Sequence, residues 1–322
     1  MRPRVIMVFA VAAIVFGGVL LVPAAYARLA TTADPTDSAS ATPTTPPPAP
    51  TPPPPPPPTL AAAPVSVPVD GFLAWALLDR ESGQTAGSAN SATSTNSTES
   101  MIKVWIVADF LRRTAEANRT PSDDRLEQAR QAIRYSSNDS AEALYNAGGR
   151  TAVIRRMISL CRLTKTRLGT IPGYAGWWSF TEMTAQDAVR MGECIKSGKA
   201  AGPKWTDWLL KEMRNVWGTT AKKDQQETRE GGRWGIIDGL PKEMLEKDPV
   251  SIKNGWTSLG YDGNWHVNCL AVTNNWVLAV QVRYPDQRGL DYGARVCASV
   301  AAQLVTPRPG AALNVPRPLT GG

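Results

Sequence analysis

Apolar and polar positions alternate with two different periods along residues 72–304. The apolar stretch Phe72–Asp79, a polar turn around Gly83 and a short second stretch predict a β-hairpin. After a loop rich in Ser, Thr and Asn, apolar residues recur at helical spacing from Met101, which predicts a helix that begins at or near Ser100. Five further segments have helical periodicity: Arg125–Ile133, Ser140–Ala147, Thr151–Cys161, Thr184–Lys196 and Trp205–Val216.

Strand periodicity returns in the C-terminal third of the chain. The segments Trp265–Thr273 and Trp276–Tyr284 are joined by two consecutive asparagines, which is typical of a hairpin. Residues Asp286–Leu304 then predict a closing helix. Because strands occupy both ends of the pattern, we predict an α+β fold with an antiparallel sheet of about five strands, terminal helices, and an all-helical lobe from about residue 104 to 216.

Residues 1–27 carry an export pattern. Arg2 and Arg4 precede the apolar run Val5–Val22, and Ala25–Ala27 resembles a small-residue cleavage site. The length of this run fits a cleaved signal peptide as well as an N-terminal transmembrane anchor, and both interpretations remain open. In either case we expect the rest of the chain outside the cytoplasm, in the cell wall or anchored to the membrane.

Composition divides the remaining chain into three parts. Residues 28–68 are rich in Pro, Ala and Thr and include the proline run Pro52–Pro58, which predicts an extended linker. We expect residues 69–305 to form the folded domain, and the Pro/Gly-rich residues 306–322 to form a disordered tail.

The formal net charge of +7 favours anionic surroundings such as membrane surfaces or wall polymers. The basic residues are scattered, without the arginine-rich run or aromatic–basic platform of nucleic-acid modules. We therefore expect no nucleic-acid partner. We expect a monomer that contacts the membrane only through an uncleaved N-terminal segment.

Four cysteines, Cys161, Cys194, Cys269 and Cys297, suggest two disulfides in an exported protein, and the sequence allows three pairings. We favour Cys161–Cys194 and Cys269–Cys297, because each pair then lies within one predicted lobe. One histidine and no C-x-x-C pattern leave almost no ligands for zinc, so we expect neither a metal nor a cofactor.

Ser100 and Lys103 form the one Ser-x-x-Lys pattern of the chain, at the start of a predicted helix. A lysine one turn after a serine lies on the same helix face and can remove the hydroxyl proton when its own pKa is depressed. The partial positive charge at a helix N-terminus also assists an oxyanion. The spacing therefore predicts Ser100 as a nucleophile and Lys103 as its proton acceptor.

Two further patterns accompany this pair. Ser136 and Asn138 stand at the head of a predicted helix, where Ser136 can relay a proton and Asn138 can contact a substrate amide, although an ordinary helix N-cap is the alternative. Lys253 and Gly255 flank Asn254 just before the C-terminal strands. Lys253 would supply a cation for a substrate carboxylate, Gly255 a close backbone approach, and Trp256 an oxyanion-hole N–H.

A second lysine pattern, Lys196-Ser-Gly, competes with the one at Lys253. Gly198 follows a predicted helix as a C-cap glycine does, and no hairpin comes after it. We therefore favour Lys253.

Ser-x-x-Lys, Ser-x-Asn and Lys-x-Gly, in this order, resemble the motifs of the penicillin-recognising serine enzymes, which include D-alanyl-D-alanine carboxypeptidases, transpeptidases and class A β-lactamases. The resemblance spans roughly residues 69–304, and Ser136–Ala141 is closer to the carboxypeptidase form. It implies that Ser100 attacks a carbonyl and forms an acyl-enzyme, which water or an amine releases. It implies D-alanyl-D-alanine peptides or β-lactams as substrates.

Three departures from the family pattern qualify this function. Asn254 replaces the usual Thr or Ser, although its amide can still donate a hydrogen bond. Residues 162–180, where class A enzymes carry a deacylating glutamate, contain no carboxylate, and Glu182 is better interpreted as a helix-start acid. Glu99 directly precedes the nucleophile, where a carboxylate raises the energy of an oxyanion. We therefore expect carboxypeptidase-like turnover ahead of β-lactam hydrolysis.

Two alternatives remain open at the level of sequence. One is a non-catalytic or weakly active wall-binding module of the same fold, and the other is an esterase for small acyl groups. Of the remaining single residues, His266 is favoured as a packed or surface histidine over a cleft residue. The pair Trp177 and Trp178 is favoured as core packing over a cleft wall.

Overall fold

A computed structural model describes Thr51, residues 58–226 and residues 228–306 of the protein. The predicted signal or anchor segment lies outside these residues. So do residues 28–50 and 52–57 of the predicted linker and residues 307–322 of the predicted tail. Within the described part, no helix combines the length and apolar character needed to cross a membrane.

A six-stranded antiparallel sheet forms the centre of the fold, in the order β3-β2-β11-β10-β8, with β9 also paired to β10. Three two-stranded ladders, β1–β12, β4–β5 and β6–β7, lie outside it. The strands are β1 Thr59–Leu60, β2 Phe72–Asp79, β3 Thr85–Gly87, β4 Thr95–Ser97, β5 Glu182–Thr184, β6 Gln225–Gln226, β7 Arg229–Glu230, β8 Ser251–Ile252, β9 Gly255–Leu259, β10 Asn264–Val272, β11 Trp276–Pro285 and β12 Val305–Thr306.

Eight α-helices accompany these strands in the described part of the chain: α1 Lys103–Glu116, α2 Asp123–Arg134, α3 Asn138–Ala147, α4 Thr151–Leu160, α5 Ala185–Lys196, α6 Thr206–Arg214, α7 Lys242–Lys247 and α8 Gly289–Leu304. Short 3₁₀ turns precede α1 at Glu99–Ile102 and α8 at Asp286–Arg288, and three more lie at Trp178–Phe180, Lys222–Asp224 and Ile236–Gly239. The predicted helices and both predicted hairpins are therefore confirmed, with boundaries that move by a few residues.

The sheet has six strands instead of about five because two short strands share one edge of β10. Val272 and Ala271 pair with β8, whereas residues 264–268 pair with β9. Between these two strands, Lys253 and Asn254 interrupt the ladder. The interruption lies where the Lys-x-Gly pattern begins, so the break in the strand belongs to the candidate site.

Helices α5 and α8 cover opposite faces of the sheet. A Cβ at Gly192 of α5 would lie 2.5 Å from Val277, and a Cβ at Gly293 of α8 would lie 2.5 Å from the hydroxyl of Tyr284. Residues 277 and 284 are an odd number of positions apart on β11, so their side chains point to opposite faces. The predicted all-helical lobe therefore consists of α1–α4 and α6, while α5 packs on the sheet.

The packed part of the chain begins before residue 69. Strand β1, at Thr59–Leu60, pairs with β12 at Val305–Thr306, and the Ser66 amide donates to Gln303. Val65 and Val67 pack against the core. Apolar residues at the end of the proline-rich segment thus extend the domain beyond the boundary expected from composition.

Both favoured disulfides are confirmed. Cys161, at the end of α4, bonds to Cys194 in α5, and Cys269 in β10 bonds to Cys297 in α8. The two cross-links close loops of 33 and 28 residues in sequence separation. Each therefore ties an α-helix to a neighbouring element and restricts the unfolded chain.

Candidate active site

The turn before α1 places Ser100 directly after one strained backbone position, Glu99, and a second strained position is Ser136. Ser100 is 6 % exposed and lies in the 3₁₀ turn Glu99–Ile102. Glu99 has φ of +48° and Ser136 has φ of +52°, a region that residues other than glycine seldom occupy. Strained residues of this kind cluster at functional sites, where surrounding contacts hold them in place.

The side chain of Lys103 is fully buried and contacts the segment just before α3. Its Nζ donates to the carbonyl oxygen of Ser136, lies 3.3 Å from the Ser136 hydroxyl, and donates to Oδ1 of Asn138 at 2.7 Å. The ammonium also lies 5.0 Å from the ring centroid of Trp178. The structure thus brings together the first two predicted motifs, which are 33 residues apart.

The helix-cap alternative applies to the neighbour of Ser136. The Ser137 hydroxyl, at the N-cap of α3, accepts a hydrogen bond from the Ser140 amide. The N-cap position is therefore occupied by Ser137, and the hydroxyl of Ser136 is directed to the lysines instead.

Lys253 meets the same hydroxyl from the opposite side. Its Nζ donates to Oγ of Ser136 at 3.0 Å and to the carbonyl oxygen of Asn254 at 3.2 Å. The competing lysine, Lys196, donates to Asn274 away from this cluster, and Gly198 has the left-handed φ of +86° expected after a helix end. The preference for Lys253 over Lys196 agrees with this geometry.

Burial lowers the pKa of both lysines. Desolvation is the main cause for Lys103, whose pKa lies well below its usual value, and the nearby charge of Lys253 adds to it. Desolvation also lowers the pKa of Lys253 to about 7. Glu230, whose own pKa is raised by burial, faces both lysines and partly offsets their mutual repulsion. A lowered pKa increases the fraction of a lysine that is present as a neutral amine, which is the form that accepts a proton.

Gly255 allows strand β9 to lie against the backbone of the nucleophile. A Cβ at this position would meet the amide nitrogen of Met101 and would lie 2.5 Å from the carbonyl oxygen of Thr98 and 2.7 Å from the amide nitrogen of Ser100. These distances are too short for any side chain. Trp256, the next residue, lines the same cleft as Ser100.

The side chain of Asn254 points away from a substrate. Its Nδ2 donates to the carbonyl oxygens of Gly232 at 3.0 Å and Trp234 at 2.7 Å. An amide group has two N–H bonds, and both are used here. The prediction that Asn254 contributes an N–H to a substrate carboxylate is therefore wrong for this conformation.

A cleft of about 670 Å³ contains Ser100, Asn138 and Trp256. Its other wall is aromatic and includes Trp177 and Trp178. Trp178 is nearly buried and donates from Nε1 to Glu142 at 2.9 Å, whereas Trp177 is 52 % exposed. The interpretation of this pair as core packing is therefore wrong for Trp177, which forms part of the cleft surface.

Glu182 lies in strand β5 and not in the first turn of α5, so its interpretation as a helix-start acid is wrong. It accepts hydrogen bonds from Thr95 at 3.0 Å and from Arg167, which pairs with it as a salt bridge. It does not belong to the cleft that contains Ser100. The segment 162–180 instead contributes aromatic side chains to the cleft, among them Tyr174 and Phe180.

Solved structures with the same architecture include class A β-lactamases and a penicillin-binding protein. A class A β-lactamase from Mycobacterium abscessus superposes with a TM-score of 0.54 at 17% identity, covering 73% of this chain and 93% of that chain. The chain has the fold of class A β-lactamases and penicillin-binding proteins. A class A β-lactamase from Bacteroides cellulosilyticus gives a TM-score of 0.57 at 16% identity and covers 73% of this chain and 91% of its own.

The penicillin-binding protein PBP-A gives a TM-score of 0.53 at 15% identity, over 74% of this chain and 97% of that chain. No protein-family model matches the chain, and no curated protein matches it. Sequence identities this low establish the β-lactamase-like fold alone. The resemblance inferred from the three motifs is therefore confirmed for the fold.

Two groups beside the motifs were not predicted. Glu230 faces both buried lysines, and Ser97 joins Glu99 to His266. His266 is 2 % exposed, which agrees with the interpretation of a packed histidine. Neither group belongs to a local sequence pattern, because each contact joins residues that are distant along the chain. The one feature of the sequence that pointed to either group was the unusual carboxylate of Glu99, directly before Ser100.

We expect the free energy of unfolding to increase with pH between 7 and about 10, because unfolded Lys253 binds a proton that the folded protein releases. One such group contributes roughly 1.4 kcal/mol per pH unit, or about 2 kcal/mol between pH 7 and 9. Urea unfolding of the wild type and Lys253→Met at both pH values measures this slope. The slope for Lys253→Met should be smaller than that of the wild type by roughly 1.4 kcal/mol per pH unit. Lys199→Met, which changes an exposed residue, should keep the wild-type slope.

Proposed function

We propose that the protein is an exported serine acyl-transfer enzyme that forms an acyl-enzyme on Ser100 with D-alanyl-D-alanine peptides or β-lactams at the cell wall. The observation that carries this proposal is the Ser136 hydroxyl, which contacts two fully buried lysines beside the cleft of Ser100. A hydroxyl held between two amines of lowered pKa is an arrangement for moving protons.

In the proposed acylation step, neutral Lys103 accepts the proton of Ser100 while the serine oxygen bonds to the substrate carbonyl carbon. The proton then passes through the hydroxyl of Ser136 to the leaving nitrogen as the carbon–nitrogen bond breaks. Lys253, on the far side of Ser136, stabilises the transferred charge and attracts a substrate carboxylate. The amide N–H groups of Ser100 and Trp256 would stabilise the oxyanion.

Slow release of the acyl group from Ser100 is the expected consequence of the composition of segment 162–180. Residues 162–180 contain no carboxylate, and the aromatic side chains of this segment line the cleft instead. Glu182 is held by Arg167 and Thr95. A penicillin should therefore remain bound to Ser100, while D-alanyl peptides are the favoured substrates for turnover.

Intact-mass spectrometry of the full-length protein incubated with a penicillin tests the proposal. We expect an adduct that maps to Ser100 and persists for hours, because no carboxylate of segment 162–180 is available to activate water. Ser100→Ala should form no adduct. Ser159→Ala, which removes an exposed serine of α4 outside the cleft, should form the adduct at the wild-type rate.

Two results would contradict parts of this proposal. A short-lived adduct with consumption of the drug would mean efficient β-lactam hydrolysis and a deacylating group outside segment 162–180. Absence of an adduct with both a penicillin and a D-alanyl-D-alanine peptide would contradict acyl transfer to these substrates.

An esterase for small acyl groups is a second candidate, and the geometry of Asn254 favours it. Because both N–H groups of its amide bind backbone carbonyls, this residue offers no donor to a substrate carboxylate. A pair of nitrophenyl esters with and without a carboxylate in the acyl part would separate the two functions. Faster reaction of the neutral ester at Ser100 would support the esterase.

A further inference from the structure

A chain of four hydrogen-bonding side chains leads from the surface to the residue before Ser100. The hydroxyl of Ser97 lies 2.6 Å from Oε1 of Glu99 and 2.7 Å from Nδ1 of His266. Nε2 of His266 lies 2.9 Å from Oδ2 of Asp262, whose side chain is partly exposed. Glu99 borders the cleft that contains Ser100.

The three contacts of this chain require three protons. The Ser97 hydroxyl supplies one, and a neutral imidazole with its proton on Nε2 supplies another to Asp262. The hydroxyl can donate to Glu99 or to Nδ1 of His266, but not to both. A third proton must therefore reside on Glu99, as a neutral acid, or on His266, as an imidazolium.

The surroundings of the two candidates favour Glu99 as the site of the third proton. His266 is buried, and burial lowers its pKa against the opposing effect of Asp262. The Glu99 carboxyl is also buried, and burial raises its pKa to about 7 against the opposing effect of its hydrogen-bond contacts with Ser97 and Thr257. In both cases the low-polarity environment stabilises the uncharged form.

Other charged groups face this chain from neighbouring elements. A positive charge on Lys103, on α1, would favour ionised Glu99, whereas Asp262 in the turn before β10 disfavours it. Arg283, opposite His266 on β11, disfavours an imidazolium. The ring of Tyr261 lies 6.2 Å from that of His266 and covers this end of the chain.

We propose that Glu99, Ser97, His266 and Asp262 form a proton relay that keeps Glu99 neutral beside Ser100, so that Glu99 is a positioning residue for acyl transfer. A carboxylate next to the oxyanion site would repel the negative charge that develops on the substrate oxygen. A neutral carboxyl at the same place removes that repulsion while preserving the hydrogen bonds that hold the strained turn.

The relay predicts a specific dependence of acylation on pH, which rests on the proposed function. As Glu99 loses its proton, the acylation rate should decrease roughly 10- to 100-fold, because two like charges then lie close together in a site of low polarity. Glu99→Gln, which is neutral at every pH, should acylate at a rate within about threefold of the wild type at pH 6 and should lose the decrease above pH 7.

Rates of adduct formation on Ser100 between pH 5.5 and 9.5 measure this effect. The matched control is Glu182→Gln, since Glu182 lies on a neighbouring strand outside the cleft and should leave the decrease unchanged. Lys253 also has a pKa of about 7 and is the competing cause. A decrease that persists in Glu99→Gln would assign it to Lys253 and overturn the proposal.

Nitrogen-15 NMR of the imidazole tests the relay without any substrate, because His266 is the one histidine of the chain. We expect His266 to remain uncharged with its proton on Nε2, while the Nδ1 resonance shifts as Glu99 titrates. The shift should be absent in Glu99→Gln. An imidazolium near pH 7, or the same Nδ1 titration in Glu99→Gln, would overturn the relay.

The two experiments separate failure of the relay from failure of the proposed function. Absence of any adduct on Ser100 would contradict the proposed function and the rate effect together, whereas the NMR titration would still decide where the proton lies. A normal adduct with an unchanged pH profile in Glu99→Gln would contradict the relay alone.

Discussion

Replacing Lys103 by methionine should reduce the rate of acyl-enzyme formation by about 10³-fold, because the variant lacks the amine that accepts the Ser100 proton. Methionine has a similar length and no charge to bury. Since desolvation already disfavours the charged form of Lys103, the free energy of unfolding should stay equal or increase. Adduct formation followed by mass spectrometry, together with urea unfolding, measures both effects on the same protein.

Lys196→Met is the matched control for this variant. Lys196 begins the competing pattern Lys196-Ser-Gly, and its ammonium contacts Asn274 outside the cleft. The control should acylate at the wild-type rate. A Lys103→Met protein that folds and acylates within about tenfold of the wild type would show that another group removes the serine proton.

Replacing Gly255 by alanine should have the second large effect. The added Cβ would collide with the backbone of Thr98, Ser100 and Met101, and none of these atoms is the flexible end of a side chain. Strand β9 or the turn that carries Ser100 must therefore move. Overpacking of this kind costs roughly 1–3 kcal/mol of unfolding free energy, and a displacement of about 1 Å at the nucleophile lowers the acylation rate by about 10²-fold.

Gly260→Ala provides the control at the end of the same strand, because a Cβ there meets no atom within 4 Å. It should leave the unfolding free energy close to that of the wild type. Equal behaviour of the two variants would mean that the close approach of β9 to the nucleophile has no energetic consequence, and the assigned role of Gly255 would be wrong.

Much of the fold follows from short-range patterns in the sequence. Periodicities over about ten residues predict helix α1 with the serine in the turn before it, both hairpins and the closing helix. The cysteines pair as favoured, although not for the expected reason, because α5 packs on the sheet and Cys161–Cys194 therefore joins the helical lobe to the sheet. The number of strands was less predictable, because β8 and β9 are too short to show periodicity and exist only through pairing with β10.

The sequence by itself determined which residue types could carry acyl-transfer chemistry. Ser100 and Lys103 lie one helical turn apart, so their common face follows from local geometry alone. Ser136 and Lys253 were identified by order and context, although nothing local indicated that their side chains would meet. Their contact spans 117 residues.

Only the tertiary structure decided how these groups act on one another. It directed the amide of Asn254 to backbone carbonyls and placed Glu230 against both lysines. It also linked Glu99 to His266 through Ser97, whose contact with His266 spans 169 residues. The physical reason is that burial and proximity set the protonation of a side chain, and both depend on elements that are distant along the chain. A sequence motif specifies the functional group, whereas the folded environment specifies its charge.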